Sequence, residues 1–371
     1  MRPLFKILLF ASFLAGSQFL SAVTTEQDYV KTIKKDFANV SPTGTTFLSN
    51  KYGKVDVKTW AQNQVSITVK ITVRTTSKSD ADDVFERIKI QFSSGGDFVK
   101  ASTEIESQSW WSSWWGSSSD YSIDYEVFMP PTNRLNLQNK YGNSFVAPLE
   151  SSATLDISYG DFRLEKIPGA LNVSLAYGKG TVINCKDMVS TISYGDLHVE
   201  NSSDLTLNTK YSDIHVVKAL DVKTMSRYDD YDITSVRDLT TDSQYGGFKV
   251  GNANSLTLIS RYTDLRLVKV LTSATIDMNY GELVIENLSK GFSNVTIKGA
   301  YTDVSIDVEA GASYKVDAAT SYADISYPTG TKTSVDNERG KNRELKGIVG
   351  TSSSPSASIT ARLSYGGLVL K

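Results

Sequence analysis

Thirteen of the nineteen tyrosines in this chain open one short phrase, and most recur at a single spacing. Tyr141, Tyr159, Tyr177, Tyr194, Tyr211, Tyr228, Tyr245, Tyr262 and Tyr280 lie 17 or 18 residues apart. Tyr301, Tyr322 and Tyr365 extend the series through longer coils, and Tyr52 is an outlying first copy. A fixed period this short means stacked similar units, each unable to bury its apolar face without a neighbour.

With Tyr as position zero, apolar residues recur six and four positions before it, and three and five after it. Around Tyr262 these are Leu256, Leu258, Leu265 and Leu267; around Tyr211 they are Leu205, Leu207, Ile214 and Val216. Spacing of two on both sides is the strand period, with one face buried and one wet. The residues after Tyr, as in Tyr159-Gly160-Asp161 and Tyr301-Thr302-Asp303, carry turn chemistry. Each unit therefore reads strand, corner, strand, corner. An α-helical stripe at period 3.6 is excluded, a leucine-rich repeat has no room for its helix, and a propeller needs about 40 residues per blade.

What remains is an all-β chain, a single-stranded parallel β-helix, or β-solenoid. Its coils span 132–371 behind a mixed β cap, and a right-handed coil is expected as the commoner form among exported β-helices. About twelve rungs at roughly 4.8 Å make a rod on the order of 55 Å long. Tyr shares strand parity with the apolar sites before it. The column Tyr141 to Tyr365 is therefore expected as an inward or corner ladder, and replacing a buried Tyr228 by Ala should cost about 3 kcal/mol.

The N-terminus, MRPLFKILLFASFLAGSQFLSA, runs from basic through apolar to small residues and reads as a secretory signal peptide over 1–22. The run is short for a membrane span, and no second stretch is long and apolar enough for one. Loss of Arg2 and Lys6 makes the mature chain more acidic than the −2 of the whole sequence. With no basic block, nucleic acid is set aside as a partner. The one cysteine, Cys185, excludes an intrachain disulfide.

Residues 23–131 form a lead-in and cap region. Tyr29, Val30, Ile33 and Phe37 suggest a short amphipathic turn of helix, and VSITVKITVRT alternates as a strand from Val65 to Val73. Ser79 to Ile88 reads as a short helix with Ala81, Val84, Phe85 and Ile88 on one face. Residues 328–358 are polar and turn-rich and read as a mobile loop inserted before the final coil, ITARLSYGGLVLK.

The phrases LSNKYGKVDVKTW, SIDYEVFMP, LNLQNKYGNSF and the repeated SYGD resemble a family of exported Gram-negative bacterial proteins known as putative adhesins. The likeness runs from about residue 46 to the C-terminus. It implies a single-stranded parallel β-helix and a place in the cell envelope, but no catalytic residues. An association of relatives with envelope-stress operons implies a different, structural or stress-linked role.

Four constellations bear on chemistry. The column two after Tyr holds Asp161, Asp196, Asp213, Asp230, Asp264, Glu282, Asp303 and Asp324. Such a row could chelate Ca²⁺, or simply repeat a corner residue; the glycine-rich nonapeptide of calcium-binding β-rolls is absent. His198 and His215 sit four after Tyr in successive coils, with Asp232 one coil later, close enough in a parallel stack to share a divalent metal but on an otherwise ordinary solvated column. Trp110, Trp111, Trp114 and Trp115 crowd SQSWWSSWWGSSSD, either as a contact surface for a glycan or envelope surface or as a cap over the open end of the rod. Finally, HExxH, GxSxG, P-loop and CxxC signatures are missing, and the loops are too short to build a cleft. The expected function is thus a non-enzymatic exported binding module without a cofactor, with a structural envelope protein as the alternative and a polysaccharide-acting enzyme a weaker third.

Overall fold

The structure, a computed structural model, describes residues 25–106 and 120–371; the leader expected at 1–22 and the four clustered tryptophans lie outside them. The chain forms one long mixed sheet wound into a β-solenoid.

The N-terminal strands are β1 (Gln27–Ala38), β2 (Thr45–Lys51), β3 (Val55–Thr59) and β4 (Gln64–Thr75). Val65, Ile67, Val69, Ile71 and Val73 of β4 are all buried, as their alternation requires. β1 pairs antiparallel with β4 over its whole length, so the turn of helix expected around Tyr29 to Phe37 is corrected to a strand. Tyr29, Ile33 and Phe37 are spaced by four, which also satisfies a period of two. The long edge of β4 supplies backbone partners that a helix could not use.

The short helix is present as α1 (Lys78–Arg87), N-capped by Ser77 one residue before it, with Ala81 and Val84 buried. The hairpin β5 (Ile88–Ser94) and β6 (Phe98–Ile105) follows, then β7 (Asp120–Met129), antiparallel to β4. From here the pairing turns parallel. β2 lies between β6 and β8 (Arg134–Lys140), and β3 lies between β7 and β9 (Ser144–Val146). The Tyr52 coil is therefore the first rung of the stack, although most of the cap separates it in sequence from the second.

Regular rungs follow through β10 (Ala153–Ser158), β11 (Phe162–Ala176), β12 (Lys179–Ser193), β13 (Asp196–Lys210) and β14 (Asp213–Leu288), the last winding through several coils without a break. Each rung sits on the previous one in parallel register, with Leu155 opposite Val173 and Leu197 opposite Ile214. Leu205, Leu207, Ile214, Val216, Leu256, Leu258, Leu265 and Leu267 are all buried, so the period-two pattern marks the core faithfully.

The C-terminal elements are β15 (Asn294–Val308), β16 (Tyr314–Ser321), β17 (Ile325–Ser326), β18 (Lys332–Arg339), β19 (Asn342–Val349), β20 (Ala357–Ser364) and β21 (Leu368–Leu370). β20 is inserted between β15 and β16, parallel to both, and β21 lies between β15 and β17. The last coil in sequence is thus the penultimate coil in space. β19 closes the end antiparallel to β16, and β18 pairs with it. Residues 328–358 therefore carry a capping hairpin rather than the expected mobile loop. Its polar composition reflects an edge strand that faces water on most sides.

Insertion gives the final coil two partners instead of one. Deleting residues 357–371 should strip both β15 and β16 of a neighbour. A loss of cooperative thermal unfolding, with aggregation, is the expected result. A fall of only a few degrees in Tm would show that the coil is peripheral.

Candidate functional site

The corner that repeats through the rod has one backbone feature. All thirteen column tyrosines have φ between 52° and 61°, the left-handed region. That conformation costs a non-glycine residue about 1–2 kcal/mol, so thirteen repeats require compensation. The geometry shows what is gained. The inward sequence runs from two before Tyr to one after it, as with buried Ile192 ahead of Tyr194 and the tight approach of Gly195 behind it. One left-handed residue turns the chain and throws its own side chain outward.

The parity argument for an inward tyrosine therefore fails and the corner alternative holds: the thirteen tyrosine residues are 41–52% exposed. The cost of about 3 kcal/mol expected for emptying a buried Tyr site does not apply to Tyr228. At the next position the neighbouring backbone leaves almost no space. A Cβ on Gly178 would lie 2.0 Å from the Gly160 carbonyl oxygen, and one on Gly142 would lie 1.9 Å from that of Gly53.

Outside the corner the rings form an unbroken stack. From Tyr52 through Tyr141 to Tyr301, then Tyr365 and Tyr322, successive centroids are 4.7–5.1 Å apart and the planes lie within 23° of parallel. Tyr121 on β7 closes the N-terminal end edge-on to Tyr52. Lys140 and Lys210 lie over the rings of Tyr141 and Tyr211, and Lys341 covers the Tyr322 ring at 4.4 Å. Because neighbours cover the ring faces, the surface on offer is a row of ring edges and phenol oxygens at strand spacing. The crowding of phenols also raises the pKa of Tyr365, chiefly through Tyr322.

Inside the corner, polar groups replace the usual apolar core. The Asn139 amide donates to the carbonyls of Gly142 and Gly53, and the Asn50 amide to those of Ile123 and Gly53. Thr103 links Asn50 to the buried Tyr125 hydroxyl, whose pKa burial pushes up to about 12. In mid-rod, Asp229 occupies the glycine position and is buried. Its carboxylate accepts from the hydroxyls of Thr209 and Ser226 and from the backbone N–H groups of Ser212 and Arg227. Burial raises its pKa despite these donors. Sequence spacing could have singled out Asp229, since it is the one acid in the column immediately after Tyr.

The outward Asp column is structural in its contacts. Asp161 accepts from the backbone N–H of Lys179, Asp264 from that of Glu282, and Asp303 from that of Gly367, each one rung on in space. His198 and His215 are brought together, ring on ring at 4.9 Å, while His198 contacts Glu200 and Asp232 pairs with Lys249. No group of three or more His, Cys, Asp or Glu side chains converges on a metal position among the described residues. The sequence reading also missed an acidic row at the second corner, where Asp187, Asp204 and Asp221 face one another in register. Asp204 is exposed, and slight desolvation, followed by the charges of Asp221 and Asp187, raises its pKa. Cys185 is buried, and burial pushes its thiol pKa up.

The family model described as Toastrack DUF4097 matches residues 43–370, which take in every ladder tyrosine. The chain belongs to that family. Among solved structures, the Toastrack chain is similar to one described as a putative adhesin from Bacteroides fragilis, at 10% identity and a TM-score of 0.30, with 92% of this chain and 97% of that chain covered. A putative cell adhesion protein from Clostridium sporogenes gives 8% identity and a TM-score of 0.20, with 94% and 99% covered. A putative lipid binding protein from Parabacteroides distasonis gives 10% and 0.25, with 75% and 93% covered. No protein of curated function matches the sequence.

The corner geometry orders two substitutions at Tyr228. Both remove stacking on two neighbours, worth about 0.5–1.5 kcal/mol for each ring pair. Glycine tolerates positive φ and alanine does not, so Tyr228→Gly should be the milder by about 1 kcal/mol. Urea denaturation of the two variants gives the comparison. An alanine variant more stable than the glycine variant would contradict a left-handed corner.

Proposed function

We propose that this Toastrack chain is an exported, non-enzymatic binding module of adhesin type that presents its aromatic corner to a glycan or envelope surface. One observation carries the reading: a continuous ladder of half-exposed tyrosines from Tyr52 to Tyr322. Soluble proteins rarely leave so much aromatic surface uncovered without a partner, and Tyr is enriched where proteins meet partners. The phenol edges repeat at strand spacing and so suit an extended, repetitive ligand better than a compact one. No helix among the described residues is long and apolar enough to cross a membrane.

Trp110, Trp111, Trp114 and Trp115 belong to the same proposal. Their segment lies between β6 and β7, and Tyr121, near the start of β7, packs against the first ladder ring. Indole and phenol edges together offer several weak contacts, each about 1 kcal/mol, that add up only over a long ligand.

The test compares binding of the leader-free protein to a glycan array and to isolated envelopes. A Tyr177→Phe, Tyr194→Phe, Tyr211→Phe variant keeps the stack and removes three hydroxyls, and a second variant changes the four tryptophans to Ser. Each should weaken binding about tenfold, equivalent to about 1.4 kcal/mol, with Tm nearly unchanged. Undiminished binding by both variants would refute the reading. Unfolding of the Trp variant would assign those residues to a cap instead of a contact surface.

A further inference from the structure

Every corner of the ladder carries tyrosine, and none of the chain's fourteen phenylalanines stands in that column. Stacking itself needs only an aromatic ring, which phenylalanine would supply equally well. The phenol group is therefore the part of the corner that stacking leaves unexplained. It does not tie the corner together either, since the corner's polar contacts run through Asn50, Asn139 and Asp229. What a phenol adds to a ring is redox chemistry. It gives up one electron to a strong oxidant and releases its proton at the same time, which a phenyl ring does not.

The ladder meets the requirements for passing such an oxidation along. From Tyr52 to Tyr322 the rings follow one another at 4.7–5.1 Å without a gap, with planes within 23° of parallel. All thirteen residues share one backbone conformation and are about half exposed, so their surroundings, and with them their oxidation potentials, are closely matched. Exchange between neighbours is then close to thermoneutral. Water at the exposed ring edges takes a proton from one phenol and returns one to the next. Tyr231 and Tyr314, by contrast, are buried against Phe248 and Phe292, neighbours that cannot be oxidised in turn. Lysines grade the path: Lys140 over Tyr141, Lys210 over Tyr211 and Lys341 over Tyr322 set positive charge on ring faces. An oxidised ring is less stable there than at an uncovered neighbour.

We propose that the ladder is a path for oxidising equivalents along the rod. A one-electron oxidant, a hydroxyl or peroxyl radical, takes an electron from an exposed ring, and the phenol proton passes to water. The tyrosyl radical then recovers an electron from the next ring and a proton from water, while that ring loses an electron and a proton. Each step restores one phenol and moves the radical by one coil. An external reductant, a thiol or ascorbate, ends the sequence by supplying one electron and one proton at an exposed ring. The proposal rests on the ladder geometry alone and is independent of whether the ring edges also bind a glycan.

The test starts an oxidation at one end of the leader-free protein and finds where it arrives. Lys341→Cys places an exposed thiol beside Tyr322, while Cys185 is buried. A ruthenium(II) polypyridyl attached there is flash-oxidised by a cobalt(III) acceptor, a nitroso spin trap marks tyrosyl radicals, and peptide mass spectrometry locates the marks. Tyr211 stands seven steps from Tyr322 along the stack, about 34 Å at strand spacing, too far for direct oxidation by the tethered complex. Marks are expected on Tyr211 and Tyr194 as well as on the rings near the complex. Adding Tyr228→Phe and Tyr245→Phe keeps the stack but opens a gap of about 14 Å between the phenols of Tyr211 and Tyr262. Marks on Tyr211 and Tyr194 should then be lost, and those on Tyr262 and Tyr280 retained. Normalising to the marks left by the same complex free in solution removes any difference in exposure between the two proteins. Marks confined to Tyr322, Tyr365 and Tyr301 without the phenylalanines, or undiminished marks on Tyr211 with them, would overturn the proposal.

Discussion

A parallel solenoid of 17 or 18 residues per coil has to turn the chain sharply and still return the backbone to hydrogen-bonding distance of the previous rung. Here one residue in the left-handed region makes that turn, and in every ladder coil the residue is Tyr. Glycine would adopt the same φ at lower steric cost, but it would bring nothing to offset its larger loss of freedom on folding. Tyrosine accepts the strain and recovers stabilisation through the ring above and the ring below. Adjacent rungs are one strand spacing apart, about 4.8 Å, which is also a workable separation for offset aromatic rings. The repeat of the backbone and that of the side chain therefore reinforce each other.

The remaining architecture follows from that corner. Turning on Tyr sends its ring outward and brings the next residue up against the neighbouring backbone, so glycine is frequent there and small or polar residues occupy the other coils. Where the corner carbonyls lack partners, Asn50 and Asn139 supply amides; where backbone N–H groups need an acceptor, Asp229 provides one. Such a stack has two exposed ends. Antiparallel strands close the first, with β4 and β7 supporting the Tyr52 coil. The hairpin β18–β19 closes the second, after the final coil has been inserted beneath β16.

Much of this was legible in the sequence, for identifiable reasons. The period of Tyr141 to Tyr280 and the alternation around Tyr211 and Tyr262 specify a strand-built coil, because side-chain period and buried face are tied together. The direction of the Tyr ring was harder to read, since counting parity assumes an unbroken extended strand and a left-handed residue breaks the count. Tyr29, Ile33 and Phe37 fit both periods, and only the free edge of β4 decides between them. Coil order could not be read at all: Tyr365 looks terminal in sequence, and its place between Tyr301 and Tyr322 depends on pairing at long range. Of the candidate sites, His198 and His215 were correctly placed as neighbours, but Asp232 turns to Lys249.

The central claim is that a positive-φ tyrosine sets each corner and is held there by its stacked neighbours. Backbone coupling constants and ring-to-ring nuclear Overhauser contacts from the leader-free protein test it most directly. The account predicts positive φ at all thirteen ladder tyrosines, with contacts between rings of adjacent coils, including Tyr301 to Tyr365 and Tyr365 to Tyr322. Negative φ at these residues, with rings contacting core leucines and isoleucines, would contradict it.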